Sequence, residues 1–325
     1  MIFAKRKDFG VSEEVYIGSL HKSYINFSSV KTNIGFTPGN ATAISYDKKM
    51  ALKKCYSEYL ERFAMGLFID ERNITSSFDF LSNKIVYEER MNFAYGNNCI
   101  GHSDTTGTAA GYDSEKIIEK ALCELIEKNE LFCFWYGACG SEIIIRDRMI
   151  NTLIKDAGFI SDEIRFFRLN QISNYSTVLV LGFENKHLIT SGICCSNNLR
   201  EAICGAIEEA KIIEWQQYKN EQSVFNKINE EYINDIYKRI IRPIVVVGDL
   251  YKNDLSEEGL CIKPWVKSIR VKMIYGDSKY GLKVIKVVSN ELLNSLPTLK
   301  NINSNLDKEI VERFFINKEL DCPIV

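Results

Sequence analysis

The sequence predicts an α/β or α+β fold in which helices pack on mixed or antiparallel sheets. Three observations carry that reading. Apolar residues recur at helical spacing at Leu52, Cys55, Tyr56, Tyr59, Leu60 and Phe63, and again at Ile118, Ala121, Leu122 and Leu125. Runs rich in β-branched residues follow and separate these patterns. The two do not alternate at the steady βαβ rhythm that a wholly parallel sheet requires.

Three helix starts align without a gap. Tyr46-Asp47-Lys48-Lys49-Met50-Ala51-Leu52 leads into Glu58 and Glu61, and Tyr112-Asp113-Ser114-Glu115-Lys116-Ile117-Ile118 leads into Glu124 and Glu127. Asn197-Asn198-Leu199-Arg200-Glu201-Ala202-Ile203 repeats the phase as far as Glu209 and lacks the second acid. Asp47, Asp113 and Asn198 stand where a side-chain oxygen accepts a free backbone N–H, so each is expected to cap its helix. Strands are expected at Ser141–Arg146, Ser176–Phe183, His187–Thr190, Pro243–Val247 and Leu282–Val288. The aromatic run Phe132-Cys133-Phe134-Trp135-Tyr136 continues the second helix and reads as core. Residues 220–240 read as a polar helix, Lys263 to Lys272 as one face of a strand, and the charged segment 299–313 as peripheral.

A chain of 325 residues can bury a sizeable core, and 46% hydrophobic content fits a globular protein. No Gly/Ser-rich or Pro-rich linker interrupts it, so residues 1–325 are expected to form a single domain. Net charge is −2 with the signs interspersed, which predicts neither nucleic acid nor an anionic membrane as partner. The basic N-terminus has no apolar segment after it, and no apolar run approaches the length of a membrane span. The ten cysteines lack any C-x-x-C pair and are expected to be thiols in a reducing cytoplasm.

Residues three apart on a helix share a face, so Glu58 with Glu61 and Glu124 with Glu127 form two local pairs. Glu58 and Glu61 lie away from their apolar stripe, while Glu124 lies nearer the edge of its stripe and Glu127 opposite it, and acids on a non-core face are ordinarily just solvated. The repeated spacing, the repeated phase and the basic residue after each pair, Arg62 or Lys128, point further. Four carboxylates from two facing helices repel unless cations lie between them. Mg2+ takes oxygen ligands and bridges carboxylates to phosphates. No G-x-x-x-x-G-K-[ST] sequence is present, which excludes a P-loop. The segment Thr105-Thr106-Gly107-Thr108-Ala109-Ala110-Gly111 reads as a tight turn or as backbone N–H groups meeting an anion. His102, just before it, is the histidine nearest these features.

At this point the residues resemble a family. Gly107-Thr108-Ala109-Ala110-Gly111 with Ala121-Leu122-Cys123-Glu124-Leu125-Ile126-Glu127-Lys128 is similar to the YcaO pattern, in which a G-x-A-x-G turn leads to AL-x-E-x-x-ER-D. Ser57-Glu58-Tyr59-Leu60-Glu61-Arg62-Phe63 resembles that family's earlier SEAxERY helix. Thr190 through Ala210 resembles its third segment and Gly281 through Leu293 its late strand and turn, so the similarity is ordered across residues 35–300.

The resemblance implies ATP and Mg2+ as cofactors, with Glu58, Glu61, Glu124 and Glu127 as magnesium ligands, directly or through water. It places Ser57 and Arg62 near phosphates and adds Tyr112, Lys128 and Glu209 to the nucleotide site. The activity implied is phosphorylation of a backbone amide oxygen in a ribosomally made precursor peptide. A Cys, Ser or Thr side chain of the peptide then closes to an azoline. Thioamidation with a sulfur donor and a TfuA-type partner, or a non-catalytic scaffold role, are the alternatives. A separate leader-peptide-binding partner is expected, and a homodimer is left open. Departures are specific: Lys128 stands where the family often has Arg, and Tyr112 where it often has Asn. Ile212 and Glu214 replace the third helix's usual Gln and phosphate-binding Arg, with Gln216, Gln217, Arg239 and Arg242 as candidate substitutes. The P-x-P-x-P tail common in azoline-forming members is replaced by Leu320-Asp321-Cys322-Pro323-Ile324-Val325.

Overall fold

The computed structural model describes residues 8–12, 20–26, 29–32, 35–68, 73–219, 244–247 and 259–324. The first sheet places β2 (His21–Asn26) between β1 (Asp8–Ser12) and β5 (Asn40–Ser45), all antiparallel, with a small ribbon of β3 (Lys31–Thr32) and β4 (Gly35–Phe36) nearby in sequence. The second runs β7 (Lys84–Glu89), β6 (Ile74–Asp79), β14 (Arg270–Gly276), β15 (Lys283–Val288) and β8 (Thr108–Gly111), again antiparallel. The third runs β12 (His187–Ser196), β11 (Ser176–Glu184), β10 (Glu163–Leu169), β9 (Ser141–Ile145) and β13 (Ile244–Val247), with β13 parallel to β9. Helices on mixed and antiparallel sheets are therefore what the chain forms.

One unit recurs in all three sheets. Edge strands β5, β8 and β12 each pass through a short turn and an Asx cap into a long helix: α1 (Lys48–Leu67), α2 (Ser114–Gly137) and, after the shorter α3 (Arg148–Ala157), α4 (Leu199–Lys219). The caps form as predicted: Asp47 Oδ1 accepts from Met50 N at 2.7 Å, Asp113 Oδ1 from Glu115 N at 3.1 Å and Asn198 Oδ1 from Arg200 N at 2.9 Å. Each helix packs on its own sheet and also touches the edge strand of another unit: α1 meets β8, α2 meets β12 and α4 meets β5. The three units thus close into a ring. Gly192 in β12 permits the close approach of α4 to its own strand, because a Cβ there would collide with Ala206 O and Ala210 N of α4.

The second half of α2 is core, as the aromatic run predicts, with Leu131 through Tyr136 between 0% and 4% exposed. Buried Trp135 and Tyr136 satisfy their polar tips on the chain's last residues and the 297 turn: Trp135 Nε1 donates to Leu320 O, and Tyr136 Oη lies 3.0 Å from Pro297 O.

Several expectations are corrected. The segment 299–313 is not peripheral, because helices α5 (Leu299–Asn303) and α6 (Glu309–Phe314) bury Ile302, Ile310 and Val311 in the main core. The strand expected at His187–Thr190 runs on to Ser196, since alternate residues remain buried against β11. Lys263 to Lys272 is mostly loop, and its strand begins only at Arg270. The polar helix at 220–240, with Arg239 and Arg242, lies outside the described residues, as does Pro243.

Candidate functional site

Backbone amides alternate sides along a strand, so residues two apart on an edge aim their N–H groups the same way. At β8 those amides belong to Thr108 and Ala110. Glu124 Oε2 accepts from Thr108 N at 3.2 Å, and Glu61 Oε1 accepts from Ala110 N at 3.0 Å. At β12 the arrangement repeats, with Glu209 Oε2 on Ile193 N at 2.6 Å and Glu127 Oε1 on Cys195 N at 2.7 Å. Each corner joins the first acid of its own helix to the second acid of the helix before. The glycine segment does present N–H groups to acceptors, and the acceptors are glutamate carboxyls of the chain itself.

The third corner breaks the pattern. By the same register, α4 would offer residue 212 to the amide of Ile44 in β5. Residue 212 is Ile, and it packs with Ile44 and Leu20 in an apolar cluster. Glu58, the first acid of α1, instead pairs with Arg62 at 2.6 Å, and Arg62 also donates to Asn40 O. Glu214 is fully buried. It accepts from Ile160 N, Ser161 N and Ser161 Oγ at 2.8 to 3.0 Å and pairs with Lys211 at 2.7 Å, which fixes α4 to the loop before β10. Gln216 and Gln217 fall in the last turns of α4.

Burial pushes the Glu124 carboxyl up to about 8, with nearby Glu61 adding to the shift. Burial likewise pushes Glu127 up to about 8, with Glu209 next in effect. Glu58 and Glu209 are raised for the same first reason. The cations are arranged around these acids. Lys120 Nζ sits 2.7 Å from Glu61 Oε1. Lys286, on β15, is fully buried and donates to Asp104 O at 2.7 Å and to Thr106 O, pinning the turn that leads into Thr108; burial lowers it to about 8. Burial would also lower Lys128, but Glu209, Glu127 and Glu124 outweigh that and raise it. Among the described residues Lys128 makes no direct ion pair.

The acids expected on a solvated helix face are largely enclosed, because each helix lies between its own sheet and a second edge strand. Glu61 is 8% exposed. Ser57 Oγ donates to Ala110 O at 2.9 Å, tying α1 to β8 beside the acids. Tyr112 is exposed next to the cap of α2. His102 is partly buried with Nδ1 3.1 Å from Asn98 Oδ1, and burial lowers its pKa. Lys120, Lys286 and Asp104 escaped the sequence reading. Lys120 carried one signal, since it stands at the same offset behind Asp113 as Lys54 does behind Asp47.

Among the described residues, no three Asp, Glu, His or Cys side chains converge as a ready-made metal cage. The glutamates sit as pairs on two strands, each with one oxygen tethered and the other available. Hard oxygen donors of this kind, each with one oxygen still available, fit Mg2+.

Residues 91–223 match the family model described as YcaO cyclodehydratase, ATP- and Mg2+-binding. Over that segment the chain is similar to the YcaO family. No match is found among curated protein sequences. Solved structures match over most of the chain. YcaO from Methanopyrus kandleri, bound with AMPPCP and Mg2+, has a TM-score of 0.68 at 13% identity, covering 88% of this chain and 87% of that one. The E. coli microcin synthetase McbBCD complex with pro-MccB17 bound gives 0.66 at 14% identity, covering 98% and 100%. A heterocyclase in complex with substrate and cofactor gives 0.64 at 11% identity, covering 94% of this chain and 53% of that one. These likenesses establish a shared fold. No described helix is long and apolar enough to cross a membrane.

Proposed function

We propose that this chain is an ATP- and Mg2+-dependent enzyme that activates a backbone amide in a ribosomally made peptide, leading to azoline formation. The observation that carries the reading is the doubled corner, in which Glu61 with Glu124 and Glu127 with Glu209 are held on alternate strand amides beside Lys128. ATP, when bound, supplies the phosphoryl group that turns an amide oxygen into a leaving group. Glu61, Glu124 and Glu127, with Glu58 behind Arg62, would hold magnesium, directly or through water. Lys128 would neutralise phosphate oxygens as a point charge. Tethering of one oxygen on each acid fixes the direction of the other, so little reorganisation remains when a cation arrives.

Among the solved neighbours, one is a synthetase complex with pro-MccB17 bound and another is a heterocyclase in complex with substrate and cofactor. On that likeness we propose that this chain works with a separate leader-binding protein. Replacing Glu124 or Glu61 by Gln should lower Mg2+-dependent ATP turnover at least ~100-fold while circular dichroism stays unchanged. Retained turnover would sink the assignment. Mass spectrometry of a candidate precursor incubated with ATP and partner then resolves the product: loss of water marks an azoline, and exchange of oxygen for sulfur a thioamide.

One observation favours a second reading. Glu214 occupies the place of the family's phosphate-binding arginine and is committed to Lys211 and the 160–161 backbone. A subunit that has lost that arginine could act as a scaffold in a modifying complex. Titration with AMPPCP and Mg2+ separates the two, because a scaffold shows no magnesium-dependent binding.

A further inference from the structure

Two lysines share one place in the repeated units. Lys54 in α1 and Lys120 in α2 stand at the same offset behind their caps, and Gly205 stands there in α4. Both lysines cross to a neighbouring helix. Lys120 reaches Glu61 at 2.7 Å, and Lys54 pairs with Glu208 of α4. The side chain of Lys120 is 52% exposed and that of Glu61 only 10%, so a solvent-reaching stem delivers its charge to an enclosed acid. Such a stem can withdraw into water without opening the core. Glu61 would keep its tether when that happens, because Ala110 N holds the same Oε1 from the strand side.

We propose that Lys120 is a built-in counter-ion of the β8 corner, filling the charge position that a divalent cation takes, and so sets how much Mg2+ the site requires. This rests on the magnesium-nucleotide reading above. Glu61 and Glu124 share a corner and repel, and Lys120 offsets that repulsion in the free chain. A divalent ion arriving there meets a positive charge already seated, and it must displace the ammonium from Glu61. The β12 corner has no lysine at that place, where Gly205 stands and a Cβ would come 3.0 Å from Cys194 Cβ, and its nearby cation Lys128 makes no direct ion pair among the described residues. Lys120 therefore marks the β8 corner as the one of the two where a direct ion pair must open before a metal ion can enter.

The test is calorimetric titration of the full chain with AMPPCP across a series of Mg2+ concentrations. Lys120→Met should lower the Mg2+ midpoint about tenfold, as removal of a nearby like charge predicts. Lys120→Arg keeps the charge and should stay within about twofold of the wild type. Lys54→Met should also leave the midpoint in place, because Glu208 lies outside the tethered set. An unchanged midpoint in Lys120→Met overturns the inference. Weaker AMPPCP binding at saturating Mg2+ also overturns it, by making Lys120 a phosphate contact. If Lys120→Met does not fold, Lys120→Gln is read the same way, with Mg2+-dependent thermal shifts as the second measurement. A wild-type chain that binds no AMPPCP with Mg2+ overturns the nucleotide reading itself, an outcome distinct from normal wild-type binding with an unshifted variant.

Discussion

The β8 and β12 corners each hold two glutamates on strand amides, while the β5 corner joins Ile44 to Ile212 in an apolar cluster. All three are built from an edge strand, an Asx cap and a long helix, so their backbones offer similar amides at similar places. What differs is the residue three positions after the aligned acid: Glu61, Glu127 or Ile212. The frame therefore comes from strand register and capping, and a single position on each helix decides whether a corner binds charge or closes as core.

The most damaging way to break the comparison is to push one corner apart. Gly192→Ala would place a Cβ against Ala206 O and Ala210 N, backbone atoms that cannot swing aside. The expected loss is about 3 kcal/mol, read as a fall in the urea midpoint. A wild-type midpoint would mean that α4 can shift off β12 without cost. Next in size is Ile212→Glu, which restores the missing acid to an apolar corner. It should destabilise by about 2 to 3 kcal/mol and add nothing to Mg2+-dependent AMPPCP binding. Tighter binding would instead reveal the third corner as a dormant member of the site.

Acidity gives a subtler contrast. Glu124 and Glu127 titrate near 8 in the folded chain and near the ordinary carboxylate value when unfolded. The folded state thus holds extra protons between those limits, and stability falls as pH rises through that window. Thermal scans without metal should show Tm dropping from pH 5 to pH 7, with saturating Mg2+ and AMPPCP flattening the slope. A Tm rising over that range would contradict the enclosed-acid picture. The smallest effect is expected at Ser57→Ala, which removes one hydrogen bond to Ala110 O at the rim of the β8 corner. A loss of about 1 kcal/mol in chemical denaturation is expected, with nucleotide affinity little changed. A large fall in affinity would promote Ser57 from tying α1 to β8 to touching phosphate.

Much of the frame was legible because it is local. Asp47, Asp113 and Asn198 announce their helices within a few residues, and the repeated acids carry the phase. The partners of those acids are non-local and left little trace. Glu61 meets Ala110, and Glu127 meets Cys195, through backbone N–H groups that any residue type except proline would supply. Lys286 belongs to the site because β15 pairs with β8 in register Lys286↔Thr108, a fact of topology that spacing cannot reveal. The amphipathic reading of the helices failed for a related reason. A helix held between its own sheet and another unit's edge strand buries its polar side as well, so hydrophobic periodicity marks only one of its two contacts.

The position of α2 has a mechanical consequence. Its acids Glu124 and Glu127 are less than one turn apart, yet one grips β8 and the other β12, which belong to different sheets. A rod of 24 residues, about 36 Å long, is anchored at its far end by Trp135 and Tyr136 and cannot roll toward one strand without loosening its hold on the other. Any pull toward β8 is resisted at β12, so the helix works as a spacer that keeps the two corners at one fixed separation.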